Sequence, residues 1–137
     1  MKKLTTSVLF ALLSVSCAWA DVAINATNFP DKNFRNYLLS QRFGKDGVLT
    51  DEEIDNITII DVSYRNIQSL EGIESFKELR SLTCNNNRLT WLDVSKNTKL
   101  ITLSCRRNRL SSLDVTKNAA LKELMSDPSV KVTGWPK

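Results

Sequence analysis

The chain has 137 residues, 42% hydrophobic and 25% charged, which is the composition of a globular protein and not of a disordered or collagen-like one. It contains no histidine, so Ser-His-Asp and Cys-His catalysis, histidine metal sites and histidine pH switches are all excluded. Nineteen Lys and Arg against fifteen Asp and Glu give a net charge of +4. Two of those lysines sit in the N-terminal leader described next, and the remaining excess is too small to argue for nucleic acid.

Residues 1–20 read as an export signal. Lys2 and Lys3 form a positive start, Leu4 to Val15 is mostly apolar with Val8 to Leu13 unbroken, and Ala18-Trp19-Ala20 offers a small-x-small cleavage site. Cleavage after Ala20 leaves residues 21–137, enough for one domain and not for two. The apolar run is too short for a permanent membrane anchor, so no transmembrane segment is expected. Two alternatives stand beside this reading. One is a buried N-terminal helix. The other is lipidation of Cys17, which Ser14 disfavours because a lipidation motif normally places leucine there. The expected location is secreted, periplasmic or cell-surface, after Sec export from a bacterium.

Residues 21–56 read as a helical cap. Pro30 suits a first helical turn, and Phe34, Tyr37, Leu38 and Gln41 follow at helical spacing before Gly44. A second short helix should begin after Thr50, where Thr50 and Glu53 form a capping box. Between them, the stretch from Arg42 to Glu53 resembles an EF-hand loop, with Gly47, Leu49 and Glu53 on its sixth, eighth and twelfth places. Arg42 and Gly44 stand where acidic or amide ligands belong. The expectation is therefore a metal-free turn and no cofactor, with Asp46 and Glu53 as weak calcium candidates.

Residues 57–126 repeat. Leu79-Arg-Ser-Leu82-Thr-Cys84-Asn-Asn-Asn87-Arg-Leu89 recurs 21 residues later as Leu100 to Leu110, and the agreement continues through Leu92-Asp93-Val94 and Leu113-Asp114-Val115. Upstream, Ile57 to Val62 is the same phrase at a spacing of 22. Leu121-Lys-Glu-Leu124 starts a fourth that degenerates after Met125. The repeats are thus 57–78, 79–99, 100–120 and a partial 121–126, followed by a tail at 127–137. The phrase matches the leucine-rich-repeat pattern L-x-x-L-x-L-x-x-N-x-L, with cysteine in place of one leucine. It predicts an α/β repeat fold: a short solenoid with a parallel β-sheet on its concave side, behind a two-helix cap. Leu79, Leu82, Cys84, Leu89, Leu92 and Val94 should stack on their counterparts in the next turn, because no single repeat can bury that face alone. Asn87 and Asn108 should turn inward and satisfy buried backbone groups. The first repeat has Arg65 in that place, so its turn should differ. In the tail, Val130 and Val132 alternate and could close the last edge of the sheet.

Cys84 and Cys105 hold equivalent positions in adjacent repeats. Export makes a disulfide conceivable, but bridge geometry is demanding on parallel strands, and small buried thiols are the better reading. Residues alternating with the core positions face the concave side. They run as columns: Ile59, Ser81, Thr102 and Glu123; Asp61, Thr83, Ser104 and Met125; Ser63, Asn85, Arg106 and Asp127; and Tyr64, Asn86 and Arg107. Charge is uneven along the chain. Residues 21–78 carry six cations against eleven acids, whereas residues 79–137 carry eleven against four. Arg106 and Arg107, with Arg88 and Arg109 beside them, concentrate positive charge at one end. The candidate ligand-binding residues are Tyr64, Thr83, Asn85, Asn86, Ser104, Arg106 and Arg107. The alternative is that these side chains are simply the solvated surface of a repeat. Few aromatics interleave with the arginines, so a nucleic-acid platform is not expected. Trp91 lies outside the strand and should cover a neighbouring repeat.

The Leu79–Val94 and Leu100–Val115 phrases, preceded by a cap with the Asp46-Gly47-Val48-Leu49-Thr50 loop, resemble the extracellular leucine-rich-repeat proteins of host-associated bacteria, in an internalin-like arrangement. The resemblance covers about residues 24–126. It implies recognition of a protein, matrix or glycan and implies no reaction. The expected partner is an extracellular protein or anionic glycan held by the concave face. Two other readings remain: a structural or truncated repeat unit that self-associates edge to edge, and a hydrolytic enzyme using Asp51, Glu52, Glu53 or Asp61, which capping and solvation already account for.

Overall fold

The computed structural model describes residues 20–136. The export signal and Cys17 therefore lie outside the described residues, Ala20 excepted. Two short antiparallel strands, β1 (Val22–Ala23) and β2 (Val48–Leu49), frame helix α1 (Lys32–Ser40), and helix α2 (Asp51–Asn56) follows directly. Asp31 is the N-cap of α1, its carboxylate accepting from the N–H groups of Asn33 and Phe34. Pro30 precedes the cap and is not in the first turn as the sequence suggested. Phe34, Tyr37 and Leu38 form the buried stripe. Thr50 and Glu53 make the expected capping box at α2, with both reciprocal bonds present.

The chain then coils. Strands β3 (Ile59–Asp61), β4 (Ser81–Thr83), β5 (Thr102–Ser104) and β7 (Glu123–Met125) form one parallel sheet in that order. Ile60, Leu82, Leu103 and Leu124 stand opposite one another, so the repeat spacing read from sequence is the register of the sheet. Leu79, Leu82, Cys84, Leu89 and Val94 are fully buried, and Leu92 nearly so. Burying each such side chain stabilises the coil by about 1.5–3 kcal/mol. This is a leucine-rich-repeat solenoid.

Between successive strands the backbone turns a corner inside the coil, where its polar groups are cut off from water. Asn87 fills that corner. Its Oδ1 accepts from Arg65 N and Ile67 N at 3.1 and 3.0 Å, and its Nδ2 donates to Val62 O and Cys84 O at 2.8 and 3.1 Å. Asn108 repeats the pattern one turn later, accepting from Leu89 N and donating to Cys84 O and Cys105 O. The first turn does differ: Tyr64 and Asn66 both take left-handed backbone, whereas Asn86 and Arg107 are alone in their turns.

The tail does not lie along the four-stranded sheet. Strand β8 (Lys131–Thr133) pairs in parallel with β6 (Ser112–Asp114), forming a second row with Ser112 opposite Lys131. That offset is nineteen residues, two fewer than in the main sheet, so the segment after Met125 completes a shortened fourth turn. Val130 is buried by it. Asp127 takes over part of the asparagine role, accepting from Arg107 N at 2.9 Å. Among the described residues β7 is the terminal strand of the main sheet.

Because Asn87 satisfies all its donors and acceptors with backbone from two turns, Asn87→Ala should lower stability by about 2–4 kcal/mol in chemical denaturation. Arg88→Ala, one residue away and exposed, should cost less than about 1 kcal/mol.

Candidate binding face

The exposed face of the main sheet begins at the cap with two large apolar side chains. Ile59 on β3 is 69% exposed, and Tyr64, just beyond that strand, is 74% exposed. Thr83 on β4 is half-buried, and Asn85 beyond it is held in place. Its Oδ1 accepts from the Ser104 hydroxyl at 2.9 Å and from Arg106 N at 2.7 Å. Ser104 is consequently buried at 3% exposure, with its hydroxyl committed to Asn85. Arg106 and Arg107 are exposed at the far end, as are Arg88 and Arg109 on the flank. The one salt bridge among the described residues, Lys99 to Glu78 at 2.6 Å, involves none of these arginines.

Tyr64, Asn86 and Arg107 share a column and a backbone conformation, with φ of 60°, 56° and 56°. Strand pairing runs up to this column, since Tyr64 N donates to Asn85 O and Asn86 N to Arg106 O. The chain then reverses inward toward the asparagine corner. Asparagine tolerates left-handed backbone well, whereas tyrosine and arginine are strained there by about 1–2 kcal/mol each. The candidate residues thus divide. Tyr64, Asn86, Arg106 and Arg107 form an accessible strip with Thr83 beside it, while Asn85 and Ser104 organise the strip from behind. Ile59 was not among the sequence candidates. The signal was its position in a concave column occupied otherwise by Ser81, Thr102 and Glu123.

Arg65 stacks over Tyr37 of α1, 4.9 Å from the ring centre, and joins the strip to the cap. Tyr37 is raised above the usual phenol range by burial, partly offset by a backbone hydrogen bond at Asp61 and by Arg65.

In the cap loop, Asp46 Oδ1 accepts from Val48 N at 3.1 Å, and Glu53 Oε2 accepts from Thr50 N at 2.9 Å. Both carboxylates serve the backbone, and among the described residues no three acidic or cysteine side chains gather as a metal site. Added calcium should move the melting temperature by no more than about 1 °C, because a ligand stabilises the folded state only where its concentration exceeds its dissociation constant.

Cys84 and Cys105 are buried and free, each just past the end of one of two adjacent strands. Burial, and then the charge of Asp127, pushes the Cys105 thiol up to about 11. Cys84 is raised well above the usual range, again chiefly by burial. Unfolded thiols lose their protons from roughly pH 8.5. From there to about pH 11 the folded chain binds more protons than the unfolded one, so the thiol contribution is complete below that window and lost through it. Replacing both cysteines with alanine should flatten the fall of unfolding free energy across that window, measured by denaturant titration at each pH.

The parallel coil behind a helical cap is a leucine-rich-repeat fold, and its arrangement is similar to that of internalins. No protein-family profile matches the chain. It is 34% identical over 71 residues to internalin J of Listeria monocytogenes serotype 4b (strain F2365), covering 51% of this chain and 8% of that protein. The solved functional domain of InlJ from Listeria monocytogenes, described as including a cysteine ladder, is similar at 30% identity and TM-score 0.73, over 87% of this chain and 26% of that one. Internalin InlF of Listeria monocytogenes shares the fold at 24% identity and TM-score 0.65, over 85% of this chain and 35% of that one. Internalin C2 of the same species does so at 19% and 0.63, over 85% and 62%. The chain therefore spans less than a tenth of the curated relative and about a quarter of the InlJ domain. Among the described residues no helix is long and apolar enough to cross a membrane.

Proposed function

We propose that the chain is an exported recognition module, without catalysis, that binds an extracellular protein through the strip on its concave sheet. The column Tyr64–Asn86–Arg107 carries this reading. Two of its three positions hold residues poorly suited to left-handed backbone, although asparagine, seen at the third, would relieve the strain. Folded proteins retain such strain where the side chain does something that a relaxed residue cannot. Tyr64 and Ile59 supply apolar contact at one end, and Arg106 and Arg107 supply positive charge at the other. Aromatic and arginine side chains are the usual anchors of protein interfaces. A complementary partner surface is apolar toward the cap and acidic toward the fourth turn.

Catalysis by the acidic residues finds no support in their placement. Glu53 is occupied in the capping box, Glu52 is exposed, and Asp61 stands on the sheet while Asp51 lines the opposite flank.

Residues 21–137, the chain expected after leader cleavage, should be arrayed against extracellular matrix proteins and sulfated glycans. Tyr64→Ala should weaken capture of a protein ligand by roughly tenfold or more, and an Arg106→Ala/Arg107→Ala pair should slow association and reduce its salt dependence. Capture that survives all three substitutions would remove this face from consideration. Capture of the glycans alone would assign the arginines to an anionic saccharide instead.

A further inference from the structure

Trp91 is 48% exposed, on the flank away from the main sheet. The sequence expectation was that it covers a neighbouring repeat, yet nearly half its surface faces solvent. The repeat itself shows that the coil does not require an aromatic here. Ser69 occupies the equivalent place one turn earlier and Ser112 one turn later, and Ser112 is exposed. The leucines that follow each of them, Leu70, Leu92 and Leu113, are buried in all three turns.

The indole lines a hollow of about 330 Å³ with Leu70, Glu71, Glu74, Asp93 and Lys96. Glu74 also lines a second hollow of about 710 Å³, where Val22 and Ile54 supply apolar surface and Asp51, Asp55 and Glu78 add carboxylates beside Lys77. The two hollows thus adjoin at Glu74, and acids outnumber lysines in both. Two of the carboxylates are fixed by the backbone. Glu74 accepts from Gly72 N at 2.8 Å, and Asp93 accepts from Ser95 N at 2.9 Å. The Ser95 hydroxyl and N–H hold the Asp93 carboxyl below its usual range, so it stays charged.

An exposed indole sharing a hollow with fixed carboxylates is the chemistry that recognises a cationic side chain: the ring face attracts the cation and the acids neutralise it. We propose that this flank groove docks an extended, lysine- or arginine-bearing protein segment, with one cationic side chain on Trp91 and the rest of the segment following the acidic hollow toward α2. Charge complementarity selects this occupant, because six acids line the two hollows against two lysines, and five remain once Lys99 pairs with Glu78. The site is separate from the concave strip, whose open charge is positive, so one chain can hold two partners of opposite character.

Residues 21–137 should be titrated into a dye-labelled oligoarginine peptide at low ionic strength, with anisotropy as the readout. Trp91→Ser should keep the parent's cooperative melt, since serine stands at the same place in the adjacent turns, and should weaken binding by at least about threefold. Glu74→Gln should weaken it comparably. Glu52→Gln, which removes a charge from α2 outside both hollows, and Arg107→Ala should leave affinity unchanged or, for the latter, slightly raised. Equal losses for Glu52→Gln and Glu74→Gln, or an unchanged Trp91→Ser, would reduce the attraction to diffuse charge and overturn the proposal. A neutral oligosaccharide bound with the same dependence on Trp91 would overturn it too, by making the indole a sugar platform.

Discussion

A coil of short parallel strands buries a backbone corner at every turn, and the protein can exist only because something hydrogen-bonds that corner from within. Asn87 does this with the full capacity of one amide: two acceptor interactions and two donor interactions, spread over two turns. The bond set ties each turn to its neighbour alongside the apolar stack, and it fixes the direction in which the chain leaves the strand. The left-handed residues Asn86 and Arg107 sit just ahead of these corners because the chain must reverse there to bring the asparagine inward. The candidate binding strip is therefore a by-product of the corner. Its most prominent column stands where the backbone is forced into an unfavourable turn.

An open coil must also be closed at the cap end, where the first turn has no predecessor. Asp31 joins the two parts. One carboxylate oxygen caps α1, and the other accepts from Gln68 N and Ser69 N of the first repeat at 2.8 and 3.2 Å. Phe29 packs edge-on to Phe34, with ring centres 5.7 Å apart, and lies 6.3 Å from Phe76 of the first repeat, so a single aromatic cluster spans the junction. Gly72 is left-handed at φ 102° and leaves no room for a side chain, since a Cβ there would run into the Phe29 ring. The cap is thus continuous with the core, and the acidic flank hollow forms where α2 meets that first repeat.

A repeat protein supplies its own controls. Positions that recur as Leu, Cys or Asn in the second and third repeats are accounted for by stacking and corner bonding. Positions where the turns differ need a separate reason: Trp91 replaces the serine of the turns on either side, and Tyr64 heads a column in which all three turns differ. Both fall at the surface, one on each side of the coil. The charge difference between the two parts of the chain follows the same division, with acids around the cap and the first turn and arginines around the third.

Much of this was legible in the sequence. The 21-residue phrase specifies register directly, because each repeat must place its leucines over those of the last. It therefore indicated the parallel sheet, the buried cysteines and the inward asparagines, as well as the odd first turn at Arg65. Capping residues act locally, and so Thr50 and Glu53 could be read as a box. What depended on contact between distant segments could not be read. Pro30 yields the start of α1 to Asp31, whose second oxygen is claimed by the first repeat. The tail joins the second row because its shortened turn brings Lys131 opposite Ser112. Ser104 is lost to solvent because Asn85 of the preceding turn reaches over it. Whether Ile59 or Trp91 faces water is decided by which neighbours the coil places beside them. Periodicity determines which residues stack, since stacking repeats a local geometry; exposure is settled only in three dimensions, since it depends on everything that packs nearby.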